Sequence, residues 1–243
     1  MRIYIGFDDT DTQDSDYGTG KLVRRFEGLL PEGCSLWGVV RQQLLVDERI
    51  PYTSHNSSAC AIVDCADPSL MDELIAKAVE HIEQESTEGS DPGLCVVREN
   101  DPVMPQLISF GRLCTAQVMT QRDITALVNG THLSGHGGTN DGIIGAAAAV
   151  GLTVSGWCGR FIEFGRLREF PALMTAGELE AAGIHVVSLD RNTMVPDPDD
   201  AINTKDWLRP RLWGSRPVLP VLPAGEKAWE SMGERRSTKD KNN

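Results

Sequence analysis

The sequence predicts an α/β (α+β) protein with a mixed sheet and a ferredoxin-like portion. Three observations lead there. The opening run Arg2 to Phe7 is β-branched and aromatic, stops at acids, and is followed by a glycine turn and an amphipathic segment. Residues 58 to 128 alternate strand and helix patterns, which suits a ferredoxin-like unit. Ile143 to Val150 is nearly all small and apolar, and a helix apolar on every side must be buried.

The elements follow in order. Arg2 to Phe7 is a buried strand. After the polar loop Thr12 to Tyr17, Leu22, Val23, Phe26, Leu29 and Leu30 recur at helical spacing until Pro31 and Gly33 end the helix. Ser35 to Val46 and Ser58 to Val63 are the next strands, separated by a loop holding Pro51 and His55. Asp67 caps a helix with Pro68 at its first position, and Leu70, Met71, Leu74, Ile75, Ala78, Val79 and Ile82 form its apolar face. Gly93 to Val97 is a strand, and Gln106 to Gln117 and Arg122 to Val128 are helices. The helix from Ile143 closes at Gly151, and Thr153 to Phe164 returns as a strand. Thr175 and Glu178 form a capping box for a short helix ending at Gly183. Ile184 to Leu189 is a strand, and Leu208 to Leu222 gives strand pieces broken by prolines. Glu163 and Arg166 read as a structural ion pair.

Bulk composition narrows the function. The 243 residues are 40% hydrophobic and 24% charged, with a net charge of -12. That is globular composition, and the acidity argues against non-specific nucleic-acid binding, which needs a basic face. The basic stretch falls at Glu234 to Lys239. The six cysteines form no Cys-x-x-Cys pair and sit singly among apolar residues, so they read as core thiols rather than zinc ligands or disulfides. The opening strand is too short for a signal peptide, and no apolar run nears the roughly 20 residues that span a bilayer. A cytoplasmic protein without membrane contact is expected.

Three segments carry candidate chemistry. Asp8, Asp9 and Asp11, with Thr10 among them, stand at the end of the first strand, where open α/β sheets bind ligands. They read either as Mg²⁺ ligands bridging to phosphates or as a solvated acidic turn. Gly18-Thr19-Gly20-Lys21 resembles the end of a phosphate loop but fails the full pattern, because Ser15 occupies the first glycine position. Its alternative is a flexible turn and cap. Gly135-His136-Gly137-Gly138-Thr139-Asn140-Asp141-Gly142 precedes the buried helix, so its amides suit an anion, and capping alone needs fewer glycines. His136 and His55 are both open to a phosphate-orienting or acid–base role, or to an ordinary surface role.

Together these segments resemble the archaeal tRNA-isoleucine agmatinylcytidine synthetases. The match comprises Gly6-Phe7-Asp8-Asp9-Thr10-Asp11, then Gly18-Thr19-Gly20-Lys21, Ile50-Pro51-Tyr52, Ala59-Cys60-Ala61-Ile62, Asp91-Pro92-Gly93, and Ile144-Gly145-Ala146-Ala147-Ala148-Ala149-Val150-Gly151. The resemblance implies a kinase-like nucleotide-binding domain over 1–57 and 130–233, a ferredoxin-like domain over 58–129, and a disordered tail over 234–243. It implies ATP and Mg²⁺ as cofactors, with phosphoryl transfer that activates a small-molecule or nucleobase acceptor. Asp8, Asp9 and Asp11 would hold the metal. Lys21 would neutralise the transferred charge, and Thr19 would donate a hydrogen bond or accept the phosphate, since either fills the place of the family threonine. Neither the family's OB-fold nor its zinc ribbon is expected within these residues, so tRNA is expected only with an RNA-binding partner. A nucleotide-sensing module without catalysis is the third reading.

Overall fold

A computed structural model describes residues 1–51, 55–192, 194–205 and 207–232. Tyr52, the basic stretch 234–239 and the expected tail 234–243 lie outside the described residues. Strand β1 (Arg2–Asp8) lies inside the sheet and pairs antiparallel with β3 (Ser57–Cys65) and β4 (Gly93–Arg98). Strand β2 (Cys34–Gln43) adds beyond β3, and β5 (His132–Gly135) beyond β4. Past β2 come β6 (Arg160–Glu163), β10 (Arg211–Trp213), β11 (Arg216–Gly225), β12 (Ala228–Ser231), β9 (Ala201–Asn203) and β7 (Leu173–Thr175). Strand β8 (His185–Ser188) pairs with β11. The fold is therefore mixed α+β, with a single 12-stranded, mostly antiparallel sheet among the described residues. The strands of segment 58–129 form no sheet of their own, because β3 and β4 flank β1.

Alternation along β1 explains its burial on both faces. Ile3, Ile5 and Phe7 pack against helices α1 (Thr19–Arg25) and α2 (Met71–Glu85) through Leu22, Val23, Leu74 and Ile82, and against Phe26 in the 3-10 turn that follows α1. On the other face, Gly6 and Asp8 meet helix α5 (Gly142–Ser155). A Cβ at Gly6 would overlap the Ala146 carbonyl, so the helix rests directly on the strand. Ala146 to Ala149 are wholly buried between β1 and helix α3 (Met104–Cys114). Small residues are what that two-sided contact admits. The short α4 (Gln121–Thr125) completes this layer. A third cluster, including Phe161, Ile202, Leu219 and Trp229, underlies the far half of the sheet, where α6 (Ala176–Ala181) packs through Leu179.

Local signals hold at both predicted caps. Asp67 accepts from the Ser69 amide at 2.8 Å, and Thr175 with Glu178 forms the capping box. Four expectations need correction. Helix α5 does not close at Gly151; a Cβ there would overlap the Leu107 carbonyl, so Gly151 is a packing glycine, and the left-handed turn comes at Gly156 with φ 73°. Thr153 to Phe164 is consequently not one strand: Thr153 lies in α5, where Gln42 donates to its hydroxyl at 3.0 Å, and only Arg160–Glu163 is extended. Glu163 faces Arg168 at 3.5 Å and Arg24 at 3.8 Å, while Arg166 pairs with Glu169, so the expected Glu163–Arg166 pair does not form. Finally, Cys34 and Cys65 stand opposite in register on β2 and β3 and are joined by a disulfide. Cys60, Cys95 and Cys114 are buried thiols as expected, and burial pushes the Cys60 thiol up to about 12. No helix among the described residues is long and apolar enough to cross a membrane.

Candidate functional site

Asp8 ends β1, and the chain turns at once: Asp9 has φ 51°, a left-handed conformation that re-aims the backbone. The following loop is tied down on two sides. Thr19 donates its amide and hydroxyl to Asp11 Oδ1 at 2.9 and 3.0 Å, and the buried Thr10 hydroxyl donates to Thr19 Oγ1 at 3.0 Å. Ser15 donates to Thr87 Oγ1 at 2.7 Å, and the Thr87 amide donates to the Thr10 carbonyl at 3.0 Å. Asp11 thus serves as the acceptor at the start of α1, whose cap residue Gly18 has no side chain to offer.

A cavity of about 250 Å³ opens where this loop meets the start of α5. Asp8, Asp9, Asp11, Thr19, Asp141 and Gly142 line it. Its remaining wall includes apolar Leu44, Ile50, Pro51, Val118, Met119 and Ile144. Four carboxylates face it against two basic side chains, Arg49 and His55, and Asp47 engages Arg49 through two contacts of 2.8 Å. Burial first, then the charge of Asp9, pushes the Asp8 carboxyl up to about 8. Burial, followed by the charges of Asp91, Asp11 and Asp141, raises Asp9 to about 7. Gly145 lies against Asp8, and a Cβ there would overlap its carboxylate. This crowding of like charge opposes folding.

The structure brings together some of the predicted residues and separates others. The glycine loop reaches the acids through Asp91: its amide donates to the Asp9 carbonyl at 3.1 Å, and its carboxylate accepts from the Thr139 amide at 3.0 Å and from the Thr139 hydroxyl. Only Asp141 and Gly142 of that loop line the cavity. Gly135 packs beneath Asn140, Gly137 over Pro92, and Gly138 against Asp91. His136 sits away from the cavity, with Nδ1 3.0 Å from Glu83 and Nε2 2.8 Å from Ser134. Gly18 lies behind the Asp11 carboxylate and Gly20 against Ile162. Lys21 is also outside the lining; its ammonium stands 4.9 Å from the Tyr17 ring centroid. Among the described residues no three His, Cys, Asp or Glu side chains converge as a ready metal centre. Sequence reasoning missed the cavity-lining Arg49, Thr120 and Gly145, and Asp91 beside them, as site residues. Asp91 was legible only as a turn before a strand, and Gly145 only as a small residue in a buried helix.

Scans of the sequence against protein-family models and against curated proteins return no match. Solved structures do match. A tRNA fluorescent labelling enzyme superposes with a TM-score of 0.52 at 28% identity, over 62% of this chain and 36% of that one. TiaS in complex with its tRNA and ATP gives 0.53 at 25% identity, over 62% and 36%. The chain is similar to TiaS. The apo form of TiaS, a tRNA agmatidine synthetase, gives 0.50 at 26% identity, over 62% of this chain and 35% of that one. This chain therefore spans little more than a third of the length of TiaS.

Proposed function

We propose that the cavity binds ATP through Mg²⁺ and activates an acceptor by phosphoryl transfer. The observation that carries this reading is the four-carboxylate lining with Asp8 and Asp9 held up near neutrality. Mg²⁺ takes hard oxygen ligands, usually one or two carboxylates plus substrate phosphates, so an incomplete protein ligand set suits it. Asp8, Asp9 and Asp11 supply those oxygens. The start of α5 at Gly142 directs its partial positive charge into the same space. Thr19 lines the cavity and Lys21 does not, so Thr19 is the one that would offer a hydroxyl to the transferred phosphoryl group. When bound, the metal neutralises charge on the β- and γ-phosphates. The apolar wall of Leu44, Ile50, Val118, Met119 and Ile144 suits a base or a small acceptor. In this reading the kinase-like and ferredoxin-like parts are two portions of one continuous sheet.

The acceptor is a small molecule or a nucleobase. The TiaS likeness favours a second version of equal standing, in which the nucleobase belongs to tRNA and a partner chain helps hold the RNA. ADP formation tests both. Mg²⁺-dependent ADP release that rises on adding amine or hydroxyl acceptors supports the first. A rise only with tRNA and a partner supports the second. Tight ATP binding with no ADP under any acceptor contradicts both and leaves a sensing module.

A further inference from the structure

The register of β2, β6 and β10 sets three arginines in one row. Arg41 is opposite Arg160, and Arg160 is opposite Arg211. Directly opposed partners share a face of the sheet, about 5 Å apart, and like charges placed so are destabilising. Nothing in the fold requires the row, because Val40, Phe161 and Leu212 carry the core on the other face. No described carboxylate forms an ion pair with Arg160 or Arg211. The charge of Arg160 helps hold the Arg211 guanidinium below its ordinary range, after burial. Arg24 and Arg168 extend the positive field along β6 with Glu163 as their shared acid.

Two further features give the row a direction and a chemistry. Arg41 donates to Ser57 at 2.8 and 3.0 Å, and Ser57 lines the acidic cavity. The row therefore begins at the cavity rim. At its far end the Arg211 guanidinium lies 5.2 Å from the Trp213 ring centroid, and Trp157 nearby is 67% exposed. Cations on adjacent strands beside one half-buried and one exposed indole suit phosphates and stacked bases.

We infer that this face binds single-stranded RNA and leads it towards the cavity. RNA is chosen because the solved relatives act on or hold tRNA; to that extent the inference rests on the proposed function. It also means that the chain carries its own nucleic-acid surface despite a net charge of -12.

The test is fluorescence anisotropy with labelled oligo(U) across a salt series, without ATP or Mg²⁺. The comparison is between wild type, the triple variant Arg41→Gln/Arg160→Gln/Arg211→Gln, and Arg98→Gln on another strand. The expected result is at least a tenfold affinity loss in the triple variant only. Its salt slope should fall by about 2, from roughly 0.7 for each phosphate that is no longer neutralised. Because the substitutions relieve repulsion, the triple variant should melt no lower than wild type, so misfolding would not mimic the effect. Several outcomes overturn the inference: no oligo(U) binding by wild type, equal binding by the triple variant, or equal affinity for oligo(dT). A sedimentation shift of wild type that the triple variant loses, without RNA binding, assigns the face to a second acidic copy instead and also overturns it. ATP calorimetry on the same samples reads the cavity separately.

Discussion

The cavity and the arginine row adjoin through Ser57 and have opposite charge. Each concentrates one sign where folding alone favours dilution. They differ in how the charge is held. Asp8 and Asp9 are packed under α5 and beside Asp91, so their protonation responds to the protein. Arg41 and Arg160 are exposed on an open sheet, where solvent and salt screen them. Buried charge suits a tight, desolvated ligand such as metal-bound phosphate. Exposed charge suits a long, salt-sensitive polyanion.

Breaking the acidic side should have the largest effect. Asp9→Asn is expected to weaken Mg²⁺-ATP binding about a hundredfold, or roughly 2.7 kcal/mol, while raising the melting temperature of the ligand-free protein. Unchanged affinity by calorimetry would remove Asp9 from the site. Gly145→Ala should come next, costing about 2 kcal/mol in denaturant unfolding, because its Cβ must displace the Asp8 carboxylate from α5. A neutral result would mean that the helix lifts freely.

The pH response sharpens the same contrast. Asp8 and Asp9 have folded-state pKa values above those of the unfolded chain, at about 8 and about 7. Between about pH 4 and 8 the folded state binds more protons, so stability without metal should fall as pH rises through this window. Mg²⁺ competes with those protons, and its stabilising effect should grow over the same range. Asp8→Asn should flatten both trends in thermal melts, and an unchanged slope would contradict the role of burial. On the basic side, Arg160→Gln should stabilise the fold by about 0.5 kcal/mol at low salt, with the gain fading at high salt. A loss of stability would show that the row is a structural ladder.

Much of the fold was legible because its signals are local. The alternation of Ile3, Ile5 and Phe7, the Thr175–Glu178 box and the Asp67 cap each act within a few residues. Tertiary contact decided the rest. Gly151 looked like a helix end, but it is the point where α3 touches α5. The disulfide depends on the register of β2 against β3, which spacing alone does not give. The acids of the site were visible as an unusual run. Asp141 was visible in the glycine loop and does line the cavity, but Asp91 and Arg49 were not, because they arrive from distant loops. The glycine loop misled in the opposite sense, since most of its glycines permit close packing around Asn140, Pro92 and Asp91 rather than exposing amides to a ligand. The arginine row was invisible in the sequence, where its members lie at positions 41, 160 and 211 and are aligned only by strand pairing.

Whether the acidic cavity is a metal–triphosphate site is decided by calorimetric titration of the wild-type protein with ATP, first with Mg²⁺ and then with EDTA, at pH 8. Binding is expected with Mg²⁺ and not without it, because four carboxylates repel a bare triphosphate. Equal binding in both conditions, or none in either by folded protein, would contradict the assignment.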